Sequence, residues 1–432
     1  MTRAFRLPMY GLILASAAAQ FALVPVMPVY AHRLGLSGFQ QGLVLGATGL
    51  ATLAVSVPAG TLSDRFGARR ITLAAGLLMA IATFAQALAA SFPALLVARL
   101  AFGAGYGVLW TAGLCWLAAA DGPRALSGSV ASAGVGGVAG PAVSGALTEH
   151  LGLAVPLVAA AAGFAVITGG LAALRVPAAG TAGSGPAAPG RLRAAGRDSA
   201  IIAAAAAVVI AGLSTGACAL LVPAQLHGGG ASSGQIGLVF AAAGILFAAG
   251  SALVTVAGRR AVTLPVICAG MLVLTAALSV GALSSASLAL VVMLCVTTAA
   301  RSVLWTVSYP LAAAAAGRRG IGLGAAMGLL NGIWAATAVI GPLAAGLAAQ
   351  HLDGRAAFGL TEAACAAALA VTVAAARRGR RSARRADGRG RRAAGLDRHF
   401  ARRAAGRNQL AAGPGTGPDP APAGRAAGPA VP

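Results

Sequence analysis

Long apolar runs, broken only by short polar turns, constrain this chain more than any other feature. A helix needs about 20 mainly apolar residues to cross a bilayer. Such runs occupy residues 9–31, 39–62, 71–91, 94–118, 126–148, 153–175, 199–225, 233–257, 261–284, 287–315, 320–350 and 355–376. Only 9% of the 432 residues are charged, where soluble domains carry about 25%. The runs are continuous and rich in Ala, Leu and Gly. They lack the alternation of a membrane barrel, so the expectation is an all-helical membrane protein with twelve spans. The first run continues to about Tyr30, too long for the core of a signal peptide.

All 32 basic residues are Arg, and their placement sets the topology. With the N-terminus inside, Arg3, Arg6, Arg65, Arg69, Arg70, Arg124, Arg175, Arg191, Arg193, Arg197, Arg259, Arg260, Arg318 and Arg319 fall on the cytoplasmic side. Outside remain only Arg33 and Arg355. The reading is a multi-pass protein of the cell membrane with both termini cytoplasmic. The five Cys follow no CxxC spacing and the His are scattered, so no metal or other cofactor is expected. No nucleophile–base pair appears either, which argues against an enzyme.

The two halves echo one another. Ala59-Gly60 and Arg69-Arg70 recur as Ala249-Gly250 and Arg259-Arg260. Arg99 recurs as Arg301, and Gly140-Pro141 as Gly341-Pro342. These ordered matches predict a duplicated six-helix unit, residues 1–176 and 199–376, joined by a cytoplasmic Pro/Gly/Ala linker at 177–198. The tail at 377–432 holds 14 Arg and 3 Asp without apolar periodicity, and is expected to be disordered and cytoplasmic. Its basic charge suits an anionic lipid surface; with Phe400 its only aromatic residue, nucleic-acid binding is not expected.

The turn after the second span reads Gly60-Thr-Leu62-Ser-Asp64-Arg65-Phe-Gly67-Ala-Arg69-Arg70. It resembles, without departure, the G-x-L-x-D-R-x-G-x-R-R signature of the major facilitator superfamily. That resemblance implies two pseudo-symmetric six-helix bundles, transport by alternating access, and a monomer. It also implies that Asp64, Arg65 and Arg69 lock the outward-open state against the start of span 11, expected near Gly317 to Gly320. Three further motifs resemble the 12-span drug/proton antiporters of the superfamily. Pro25-Val-Met-Pro28 is similar to a P-x-x-P element at the end of span 1, where proline kinks or stops a helix. Arg99-Leu-Ala-Phe-Gly103-Ala-Gly105 is similar to the R-x-x-x-G-x-G motif of span 4. Gly136-Gly-Val-Ala-Gly140-Pro141-Ala-Val-Ser144-Gly145 is similar to an exporter motif of span 5, with Ser144 in place of one Gly. Small residues every four positions allow close helix packing there.

The expected function is therefore export of small amphipathic compounds by proton antiport, with an organic-anion or metabolite carrier as the alternative. An ionisable residue inside a bilayer is costly and defaults to function, which singles out Arg99 and Arg301. Snorkelling competes with function at Arg99, and less so at Arg301, which lies deeper along its run. The superfamily places spans 1, 4, 7 and 10 around the substrate. That implies a cavity lined by Gln20, Tyr106, Trp110, Ser214, Thr215, Trp305 and Tyr309, joined by Asn331 and Trp334. Such walls suit lipophilic cations or neutral compounds. The first five spans carry no central acid, so proton coupling would fall to Asp64 or Glu149.

Overall fold

The computed structural model describes residues 3–121, 125–174, 198–318 and 323–378. The linker at 177–198 apart from Asp198, the tail beyond Arg378, and Arg124, Arg175, Arg191, Arg193, Arg197, Arg319 and Gly320 lie outside the described residues. Regular structure among the described residues is helical throughout, and twelve helices are long and apolar enough to cross a membrane. They are α1 (Arg3–Leu34), α2 (Gly38–Phe66), α3 (Ala68–Leu88), α4 (Phe92–Ala120), α5 (Ala125–Leu151) and α6 (Ala154–Ala173). The second six are α7 (Ser199–Gly228), α8 (Ser233–Ala257), α9 (Leu264–Leu283), α10 (Ser287–Arg318), α11 (Leu323–His351) and α12 (Gly354–Arg378).

Local chemistry fixes the ends. The starts of α2 and α8 carry reciprocal capping boxes, Ser37 with Gln40 and Ser232 with Gln235. Asp198 caps α7 through the Ala200 N–H at 2.9 Å. Gly67 takes φ +88 between α2 and α3, a conformation that side chains with a Cβ rarely adopt. One expectation needs correction: Pro25 and Pro28 do not stop α1, which runs through them to Leu34. The described part of span 11 starts at Leu323; Gly317 belongs to the last turn of α10, and Gly320 lies outside the described residues.

Packing repeats with a shift of six helices. In the first half α1 packs on α5, α2 on α4, and α3 on α4; in the second α7 packs on α11, α8 on α10, and α9 on α10. The two six-helix bundles meet along α2–α11, α5–α8 and α1–α7. Lipid is as apolar as a leucine side chain, so close approach rather than water exclusion holds such helices together. The outer faces accordingly stay apolar: Leu77, Ile81, Phe84 and Leu88 form one exposed stripe of α3.

The ends of the molecule differ. One end carries the turns with Arg65, Arg69, Arg70 and Arg260; the other carries only Arg33 and Arg355. At the arginine-poor end one apolar cluster joins both bundles, with Leu23, Met27, Tyr30, Val44, Val222, Leu226 and Ile236 buried together. Toward the arginine-rich end the clusters separate. Phe5, Met9, Trp116 and Phe164 belong to the first half; Ala204, Val208, Ala312 and Leu330 belong to the second.

Candidate functional site

A cavity of about 140 Å³ lies between the halves. Gln20, Phe21 and Val24 of α1 line it, with Thr48 and Thr52 of α2, and Arg99 and Tyr106 of α4. The second half contributes Thr215, Gly216 and Ala219 of α7, and Trp334, Ala338 and Pro342 of α11.

Arg99 does not snorkel. It is 1% exposed, and Nη2 donates to the Gln20 carbonyl at 2.8 Å and to Gln20 Oε1 at 3.1 Å. Its Nε has no hydrogen-bond partner, and the guanidinium sits 5.1 Å from the Phe102 ring centroid. Arg301, which the sequence places deeper, is only half-buried. Its Nη1 donates to Thr215 Oγ1 at 2.8 Å, and Phe247 lies 5.9 Å away. Thr215 lines the cavity, so Arg99 faces that space directly and Arg301 stands behind it, hydrogen-bonded to a lining residue of the second half. No acid lines that space or bonds to either guanidinium. Arg stays charged at any working pH, so the cavity holds fixed positive charge. Of the expected substrates, lipophilic cations or neutral compounds with an organic anion as the alternative, a cation is the one that the charge of Arg99 works against.

The aromatic residues divide between two walls. Tyr106 lines the cavity and Trp110 backs it, with ring centroids 5.9 Å apart. Trp110 lies in a π-helical turn, Leu109–Gly113, an irregularity frequent at functional sites. Opposite, Trp334 lines the cavity and Trp305 meets it edge-on at 4.7 Å. Tyr309 lies 5.2 Å from Trp305 and donates to Asn331 Oδ1 at 2.9 Å, while Asn331 itself is exposed. Ser214 is turned away, bonded to the Ala211 carbonyl.

The span 5 motif divides its contacts. Gly136 and Gly140 admit the α1 backbone at Leu14 and Ala18, within one half. Pro141 and Gly145 meet Gly237 and Ser233 of α8, across the halves. Ser144, the departure from the motif, donates to the Ala22 carbonyl at 2.7 Å. The second-half copy behaves alike: Pro342 and Gly346 meet Gly42 and Gly38 of α2. Both seams finish in the same way. Glu149 Oε2 accepts from the Gly234 N–H at 3.0 Å and from Ser232 Oγ at 2.8 Å. Gln350 Oε1 accepts from the Phe39 N–H at 3.2 Å. Gly234 and Phe39 both stand two residues past the cap serine, where a helix N–H lacks an internal partner. Gln350 escapes notice in the sequence because an amide carries no functional flag. The signal was available: Glu149 and Gln350 follow Pro141 and Pro342 by equal spacing.

The signature turn is not engaged with the other half at its glycine. Asp64, Arg65 and Arg70 are exposed, and nothing lies within 4 Å of a Cβ built on Gly60. Arg69 Nη2 donates to the carbonyls of Ala172 and Leu174 at 2.7 and 3.1 Å, completing the end of α6 within its own half.

Residues 9–324 match the family described as Major Facilitator Superfamily. An uncharacterized MFS-type transporter, YuxJ of Bacillus subtilis (strain 168), is 35% identical over 142 residues, 30% of this chain and 35% of that one. The quinolone resistance protein NorA of Staphylococcus aureus is 32% identical over 87 residues, 20% of this chain and 22% of NorA. The chain thus aligns with about a third or less of the length of these curated relatives. Among solved structures, a bacterial homolog to the human lysosomal transporter Spinster, inward-facing and occupied, superposes with TM-score 0.72. That superposition covers 87% of this chain and 98% of the other at 16% identity, a likeness of fold.

Proposed function

Since the chain belongs to the major facilitator superfamily, whose members are membrane transporters and not enzymes, we propose that it exports small amphipathic compounds by alternating access. Its place is the cell membrane, with both termini cytoplasmic and protons moving opposite to substrate. The observation that carries this reading is a cavity between the halves beneath an apolar seal at the arginine-poor end. Arg-rich turns favour the cytoplasmic side, which makes this conformation inward-open. The exporter-type seam at Gly140, Pro141 and Gly145, and the short likeness to NorA, support outward transport. In the opposite state Asp64, Arg65 and Arg69 would dock against α11. Glu149 or Asp64 would carry the coupling proton, since no acid lines the cavity.

The test uses everted vesicles loaded with a pH-sensitive dye and energised before a compound panel is added. Proton release on adding neutral or acidic amphipathic compounds, lost in Asp64→Asn or Glu149→Gln, is the expected result. Transport with no proton movement in the unaltered protein would reject antiport. A second reading, a carrier for a metabolite anion, is favoured by Arg99 and Arg301. It predicts exchange of small aliphatic anions without dependence on the aromatic walls.

A further inference from the structure

From the guanidinium of Arg99 lining the cavity, that of Arg301 held behind it by Thr215, and two aromatic walls, we infer that the preferred substrates are planar aromatic compounds carrying one anionic group, bound acid-first toward the sealed end. The inference deepens the export reading and rests on it.

Three observations carry it. Arg99 is buried, lines the cavity and leaves Nε unpartnered, while Arg301 reaches the same space through Thr215. Neither has an acid to neutralise it, and an uncompensated guanidinium inside a bilayer is costly. An anion supplies the missing charge, and a carboxylate or sulfonate matches the planar donor fork of Arg.

The aromatic residues lie on the far side of the arginines from the seal. α4 and α10 both run toward the arginine-rich end. Tyr106 follows Arg99 by seven residues, about 10 Å along a helix, and Trp305 follows Arg301 by four, about 6 Å. Tyr106 and Trp334 therefore present ring surfaces to the cavity on its open side, backed by Trp110 and Trp305. A molecule entering from the arginine-rich end meets rings first and charge last. A flat aromatic body about 6–10 Å long with a terminal acid satisfies both at once.

Isothermal titration calorimetry on the purified full-length protein tests the assignment with four probes: 2-naphthoate, 2-naphthylmethanol, 2-naphthylmethylammonium and cyclohexanecarboxylate. We expect 2-naphthoate to bind at least tenfold tighter than each of the others. Arg99→Gln and Arg301→Gln should abolish its advantage over 2-naphthylmethanol. Arg301→Lys, which keeps the charge, should retain it. Trp334→Ala should abolish its advantage over cyclohexanecarboxylate and leave the preference for anions intact. Equal or tighter binding of the ammonium compound, no binding of 2-naphthoate, or an anion preference that survives both Gln variants would overturn the inference. Export in everted vesicles separates the two readings. If cations are exported in preference to 2-naphthoate, the substrate assignment fails and export stands. If 2-naphthoate binds as expected but none of the four probes is moved, export fails and the assignment stands.

Discussion

At the arginine-poor end the α5–α8 seam and the α2–α11 seam are built alike and finished differently. In each, a Gly-Pro pair and a later glycine bring two backbones together. In each, a side chain in the last helical turn accepts the second N–H of a serine-capped helix across the interface. On one side that side chain is Glu149, on the other Gln350. A carboxylate at a helix N-terminus adds charge to the hydrogen bond, and charge-assisted bonds are roughly twice as strong. Duplication therefore supplied the same contact twice, and one residue gives only one of them a charge.

The strongest way to break the comparison is to force the seams apart. A Cβ at Gly42 or Gly237 would meet the backbone of Pro342 or Pro141. Gly42→Val and Gly237→Val should each reduce transport more than tenfold. Trapping the closed seam by cysteine pairs across it checks this, and both variants should resist crosslinking. If only one does, the seams are not equivalent.

Removing the acceptors sharpens the difference. Glu149→Ala should open the arginine-poor end more than Gln350→Ala, since it strands two donors rather than one. Accessibility of a Thr48→Cys reporter to a membrane-impermeant thiol reagent, added from that side, measures it. Equal accessibility would mean that the charge contributes nothing.

Exchanging the chemistry is subtler. Glu149→Gln, which keeps an acceptor without the charge, should raise reporter accessibility less than Glu149→Ala, and Gln350→Glu should lower it below that of the unaltered protein. The smallest effects belong to the caps. Ser37→Ala and Ser232→Ala should each cost about 1 kcal/mol in thermal unfolding. Ser232 should cost more, because its hydroxyl also donates to Glu149.

The helical plan was legible because a bilayer leaves a chain few options, and the Gly-Pro repeat gave the duplication. Arg99 and Arg301 were legible as costly residues, but their depths were not. Depth along a run says nothing of whether a neighbouring helix closes over the side chain, as α1 does over Arg99 through Gln20. The cavity's charge preference was open in the sequence, where aromatic walls pointed to cations or neutral compounds and the two arginines to an anion; that Arg99 faces the cavity could be read only from the fold. Gln350 depended on a contact 311 residues away in sequence.

The glycines hold a last consequence. On the four seam helices, the glycines that meet the backbone of the opposite half lie toward the sealed end, among them Gly38, Gly42, Gly145, Gly237 and Gly346. Gly60, Gly134, Gly328 and Gly332 on α2, α5 and α11 sit toward the arginine-rich end with nothing within 4 Å. Glycine weakens a helix and is hard to account for where nothing touches it. On the alternating-access reading proposed above, the opposite bundle would close onto these four positions when the molecule rocks over, and the small residues of each end would serve one of the two shapes.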